Sequence, residues 1–322
     1  MKSRLIALLV LISSFGFSQK DIFLHINPTF NSVNFNLNTN YTGLDGKVIN
    51  LDHFNYYISD VVLIHDGGIQ TAVVDPVFLF TPLDFGFYLG SYNIQQIEQL
   101  NFLVGVSSRY NTQSGSEAVD ISTYPATNPL SFQTPSMYWG WQFGYMHMIV
   151  GGNADSNNDQ IPDAYFEMHN LGDHNQRAVQ MPVVPTNTTA TQADIYLQCN
   201  IEQWLRNMPL ATVGILHDQI GLNDSIMANV NQFPIFTQPL NAGQMENSEP
   251  EVLVYENVVS WKNLEASNLK IIDMSGRIIS NDKLLGSSGN LSLGINTGLY
   301  WIQIYLDNGT PILSKKCLIV NQ

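Results

Sequence analysis

The chain has 322 residues, 44% of them apolar and only 12% charged, with 13 Lys and Arg against 27 Asp and Glu and a formal charge of -14. So few charges argue against a molecule dominated by long solvated helices. A surface that acidic repels phosphate backbones, so nucleic acid is excluded as a partner, whereas cations are not.

The opening "MKSRLIALLVLISSFGFSQKD" has the build of a secretory signal over residues 1–18. Lys2 and Arg4 supply the positive region, Leu5 to Phe17 the apolar region, and Gly16 and Ser18 the small cleavage-site residues, so the mature chain is expected to start near Gln19 and to be exported. The apolar run is too short for a membrane span and no later segment approaches it, so no transmembrane span is expected in the mature protein.

Residues 19–240 carry short alternating or β-branched segments such as "DIFLHINPTF", "HFNYYISDVVLIHDGG" and "ADIYLQCNI", separated by Gly, Asn, Pro and Asp. Strands at this spacing predict a mainly β domain, an antiparallel sandwich or barrel-like fold. Two short helices are expected: Asn93 to Leu100 ("NIQQIEQL"), and Leu222 to Phe233 with an Asn or Asp cap. Between them, "PSMYWGWQFGYMHMIVGG" (Pro135 to Gly152), read as one strand, puts Trp139, Trp141, Phe143, Tyr145 and His147 on one face. Its other face holds Gly140, Gln142, Gly144, Met146 and Met148. On a regular strand His147 lies roughly 20 Å from Trp141, far beyond one coordination sphere, unless Gly144 bulges the strand sharply.

The next stretch, "DSNNDQIPD", sets oxygen donors at Asp155, Asn157, Asp159 and Asp163, with the Ile161 carbonyl between them. Side chains at every second position of a tight loop suit calcium, although Gln160 stands where such loops carry Gly. A polar break at 241–251 is the expected linker, and residues 252–322 the second domain, a small β-sandwich with "MSGR" and "DNGT" turns. The two Cys, Cys199 and Cys317, fall in different domains, so no disulfide is expected.

Two resemblances add to this. The tail, through "IIDMSGRII", "LSL", "TGLYWIQI" and "KKCLIVN", resembles the C-terminal sorting domain of type IX secretion cargo from Bacteroidetes-like bacteria, with "VYENVV" in place of the usual Tyr-Pro-Asn-Pro opening. That implies the type IX secretion machinery as a partner and a secreted or cell-surface location. The segments "HINPTF", "DHFNYYISDVVL", "FLVGVSS", "MYWGWQFGY", "YFEMHNLG" and "ILHD" resemble the secreted MbnP-like copper-binding family. The resemblance implies copper held by His25, His169 and His217. It also implies a Trp, here Trp139 or Trp141, oxidised to kynurenine by a MauG-like di-haem peroxidase. Imidazole suits copper, and an opened indole offers an amine and a ketone that Trp lacks. His53, His65, His147 and His174 are assigned packing or surface roles, and Met146, Met148 and Met168 are left out of the site.

No Gly-x-Ser-x-Gly elbow, His-Glu-x-x-His helix or phosphate loop occurs, and the chain is not expected to be an enzyme. The rival to copper handling is a structural or adhesive surface module, metal-free or calcium-stabilised. A third reading, carbohydrate binding, requires Trp139 and Trp141 to face solvent.

Overall fold

The computed structural model describes residues 19–74, 77–111, 120–140, 143–186, 188–239, 251–255, 257–262, 264, 267–284, 289–306 and 311–320. The expected signal, Trp141 and linker residues 241–250 lie outside the described residues. In chain order the first strands are β1 (Lys20–Phe30), β2 (Val33–Asn34), β3 (Asn40–Thr42), β4 (Val48–His65), β5 (Ile69–Ala72), β6 (Phe78–Phe80), β7 (Gly86–Tyr92) and β8 (Ile97–Val104). Next come β9 (Tyr138–Gly140), β10 (Gly144–Tyr145), β11 (Met148–Ala154), β12 (Ala164–Asn170), β13 (Arg177–Pro182) and β14 (Gln192–Asn200). Helices α1 (Ile201–Trp204) and α2 (Leu210–Val213), strand β15 (Ile215–Asp218), helix α3 (Leu222–Gln232) and strand β16 (Phe236–Thr237) close this part. The C-terminal strands are β17 (Glu251–Tyr255), β18 (Val258–Lys262), β19 (Ser267–Asp273), β20 (Ile278–Leu284), β21 (Gly289–Ser292), β22 (Gly298–Leu306) and β23 (Pro311–Ile319).

The molecule is mainly β, a curled half-barrel sheet in a sandwich-like arrangement with three short helices. A nine-stranded sheet runs β13-β8-β4-β11-β12-β15, with β3, β5 and β6 also on β4. It faces a five-stranded sheet, β16-β14-β1-β2 with β7 on β1. Most pairings are antiparallel, but β1 with β14 and β12 with β15 are parallel. Alternation decides what lies between the sheets. Ile22, Leu24 and Ile26 of β1 meet Phe54 and Tyr56 of β4 and Phe166 and Met168 of β12 in the main core, with Trp204 and α3 beside them. A second cluster, with Tyr57, Ile149, Leu171, Met137 and Tyr145, covers part of the other face of the nine-stranded sheet.

Three local expectations are corrected. Asn93 to Leu100 is no helix: β8 starts at Ile97. Its pairing with β4 jumps from His65↔Ile97 to Ile64↔Gln99, so Glu98 is a bulge. The bulge turns Ile97 and Leu100 both inward, an apolar spacing of three that imitates a helix. Helix α3 forms over Leu222–Gln232 as expected, but its N-cap is Gly221, with no side-chain capping bond. The aromatic stretch is not one strand: β9 and β10 fold back as a hairpin between Gly140 (φ +114°) and Gly144 (φ +69°), and β11 follows.

The C-terminal strands form a three-stranded sheet, β17-β18-β21, and a four-stranded sheet, β20-β19-β22-β23. They share a separate core of Trp261, Leu269, Ile271, Ile302 and Ile304.

Candidate metal centre

Register places the site. Across β4, β11 and β12, His53 is level with Gly151 and Gly151 with Glu167. One step along, His169 of β12 is level with His217 of β15. In β12 the even residues Phe166 and Met168 are buried in the core, so Glu167 and His169 project from the outer face. His53 and His217 join them there, beside the second apolar cluster.

His53 spans two strands because Gly151 lets it: a Cβ on Gly151 would sit 2.3 Å from His53 Cε1. The imidazole thus lies over the glycine towards β12. One donor atom from each of His53, Glu167 and His169 falls within 4.8 Å of the others. A bulge assists. The β4–β11 register shifts between Gly151↔His53 and Gly152↔Leu51, leaving Asp52 as the extra residue. Neighbouring side chains that would otherwise oppose one another now meet, and Asp52 Oδ1 lies 2.5 Å from His53 Nδ1. That bond fixes the proton on Nδ1 and leaves the Nε2 lone pair free, the pattern of metal-ligating imidazoles. His53 Nε2 is buried and has no hydrogen-bond partner among the described residues.

His169 is engaged on both ring edges. Its Nε2 is 2.5 Å from Glu167 Oε1, and its Nδ1 is 2.7 Å from Nδ1 of His217. Two nitrogens nose to nose share one proton, the lone pair of one accepting the N–H of the other, so a metal ion bound at either nitrogen would take that proton's place. Burial opposes ionisation of Glu167, yet the Tyr165 hydroxyl at 2.8 Å and the nearby His169 and His53 hold its carboxyl below the ordinary value. Burial lowers the His169 pKa; Glu167 opposes this, while His217 and His53 add to the lowering. The result is a neutral imidazole beside a carboxylate, the ionisation state that metal ligation needs.

Trp139 covers the cluster. Its ring stacks on His217 at 4.6 Å with 29° between planes and meets His169 edge-on at 6.0 Å. It is 42% exposed, with one face against His217.

The remaining expected positions scatter. His25 is not brought to this cluster. It alternates with Leu24 and Ile26 of the core, so it points away on the five-stranded sheet, stacked on Tyr196 at 4.4 Å with Nε2 3.4 Å from Asp194 Oδ1. His147 also stays apart, though for another reason than strand length, since the hairpin removes the regular strand. It is fully buried, and its Nδ1 accepts the Val106 N–H at 3.1 Å. His65 is held by Asp66 and Thr71, and His174 by the Gln219 carbonyl. Met146, Met148 and Met168 are core residues. In the β11–β12 loop, Asp155 accepts the amides of Asn157, Asn158 and Gln160, and Asp163 accepts Ser156 N–H. Asn157 and Asp159 bond to each other, as the turn requires.

Sequence reasoning missed His53 and Glu167 as donors. The traces they leave are "DH" on β4 and "EMH" on β12, where Glu167 and His169 are two apart and share a face. Only the register with Gly151 joins these segments.

Two imidazoles and a carboxylate within reach of one ion, with the His217 imidazole against His169 and the thioethers in the core, suit a borderline transition ion. The MbnP family model matches residues 19–227. Among solved structures the chain is similar to MbnP from Methylosinus trichosporium, at 12% identity and a TM-score of 0.42, over 63% of this chain and 81% of that one. It is also loosely similar to the BSP domain of a biofilm-associated protein, at 9% identity and a TM-score of 0.18, over 96% of this chain and 53% of that one. The comparison with curated proteins found no match. With well over half its length matched by the family model, the chain belongs to the MbnP family.

Proposed function

We propose that this protein binds copper and serves in copper capture or handling, without catalysis of its own. The observation that carries the proposal is the gathering of His53, Glu167, His169 and His217 on one sheet face, with His53 Nε2 buried and without a hydrogen-bond partner among the described residues. In it, His53, His169 and His217 supply imidazole nitrogen and Glu167 a carboxylate oxygen. Asp52 and Tyr165 orient His53 and Glu167 through their hydrogen bonds. Copper outcompetes the other first-row divalent ions at such donors, and membership of the family favours it over zinc. Bound copper would supply a redox-active Lewis acid, and the stacking of Trp139 on His217 supports including this ring in the proposal. Conversion of Trp139 or Trp141 to kynurenine by a di-haem peroxidase belongs to this proposal, as does export through the type IX machinery by residues 252–322.

The test is metal content by mass spectrometry on the protein from its native host, dialysed against a weak chelator, beside His169→Ala and His217→Ala. About one copper per chain, lost in both variants, is expected. Calcium alone, or no metal in any sample, would leave the structural-module reading standing. Peptide mapping across Trp139 and Trp141 then reads out kynurenine.

A further inference from the structure

Away from the histidine cluster, the two sheets part at one end and leave a cavity of about 410 Å³. Its walls are apolar: Ile22 of β1 and Ala193 of β14 on one side, Ile97 of β8 and Val183 after β13 on the other, with Ile94 between. All five are buried. Lys20, at the start of β1, also lines it and is itself only 8% exposed.

An ammonium carries three N–H donors. Lys20 Nζ gives one to the Gln95 carbonyl at 3.0 Å and has no other partner among the described residues. The acid in the lining, Glu98, is engaged elsewhere, accepting the amides of Gly67 and Gly68. A buried cation without a counter-ion is costly. In a chain with 27 acidic residues and 13 basic ones, a buried Lys that meets no carboxylate among the described residues is unusual.

We infer that this cavity binds a medium-chain aliphatic carboxylate, its head group on Lys20 and its chain along the apolar walls. The volume falls within the range of small-molecule sites. One ammonium matches one carboxylate, whereas a phosphate dianion would need a second cation that the lining does not offer. An alcohol or amine of the same length leaves the charge unmatched. The inference is independent of the copper site, which lies on the outer face of the nine-stranded sheet.

Calorimetric titration of the full chain with sodium butyrate, hexanoate and octanoate tests it, with octan-1-ol as the uncharged control. Affinity should rise by up to roughly fourfold per added methylene, the value of burying one CH₂. Lys20→Met, which keeps the aliphatic stem, should weaken octanoate at least tenfold and leave octan-1-ol unchanged. Ala193→Leu narrows the cavity with Lys20 intact, so octanoate should lose more than butyrate; this variant serves if Lys20→Met fails to fold. Three results overturn the inference: no binding by any of the acids, equal octanoate affinity in Lys20→Met, or affinity independent of chain length.

Discussion

Because Gly151 has no side chain, His53 can lean across it towards β12. Gly151→Ala puts a methyl group where the imidazole lies, its three nearest neighbours all being His53 ring atoms. The ring must swing away, while the strand pairing of β11 stays as it is. The expected outcome is a loss of copper affinity of roughly ten- to a hundredfold, the usual cost of disturbing a ligand's support. The melting temperature should change little; competition titration and thermal melts on the same sample would show it. Asp52→Asn should weaken copper similarly, by freeing the His53 tautomer. None of this was legible before the strands were aligned. The sequence marks His169 and His217 through their segments, but His53, over a hundred residues earlier, has no periodic signal linking it to them. His25 shows the converse: its resemblance-based placement fails because the strand it sits on belongs to the other sheet.

His147 yields a prediction of a different kind. Burial pushes its pKa down to about 4, against 6.5 for an ordinary imidazole, despite the opposing pull of Asp173. The folded protein therefore holds this ring neutral while the unfolded chain takes up a proton near pH 6.5. Stability from this residue is complete above pH 6.5 and is lost as the pH falls towards 4. At about 1.4 kcal/mol per pKa unit the loss approaches 3 kcal/mol. Denaturant titrations at pH 7.5 and 4.5 should show it, and His147→Gln, less stable at pH 7.5, should show a smaller drop between the two. An equal drop in wild type and variant would assign the acid sensitivity to other groups.

At the scale of elements, the loop between β11 and β12 is held by Asp155, whose carboxylate gathers three amides while fully buried. The turn obliges Gln160 to adopt φ +70°, a left-handed conformation that costs a side-chain-bearing residue about 1 kcal/mol or more. Gln160→Gly should accordingly stabilise the protein by about 1 kcal/mol, offset in part by the extra freedom of glycine in the unfolded chain. Denaturant melts measure it, and a fall in stability would mean that the glutamine side chain contributes more than the strain removes. The missing glycine was visible in the sequence, and so was α3, whose apolar positions keep a helical period throughout. Strand β8 was not, because one bulged residue, Glu98, converts a two-residue alternation into a three-residue spacing. The β9–β10 hairpin was hidden by the opposite effect: its alternation is regular enough to suggest a single strand, and only Gly140 and Gly144, both at positive φ, betray the reversal.

For the whole molecule, the question is how far the C-terminal sheets support the part that carries the histidine cluster. Their apolar core is separate from the main one. Contact between the two parts includes an ion pair of Lys315 with Asp84 and a crevice where Val252 and Val254 approach Phe23 and Tyr88. Both partners of the pair are about a third exposed, a setting in which ion pairs contribute at most about 1 kcal/mol. In a domain of some two hundred residues that corresponds to a shift of about 2–4 °C in Tm. A chain ending at residue 240 should therefore fold, melt within a few degrees of the full protein and bind copper with unchanged affinity. His53, Glu167, His169, His217 and Trp139 all lie on strands that precede the cut. Calorimetry of the two forms side by side decides the matter. A drop of ten degrees or more, or loss of copper from the shorter form, would mean that the C-terminal sheets brace the sandwich.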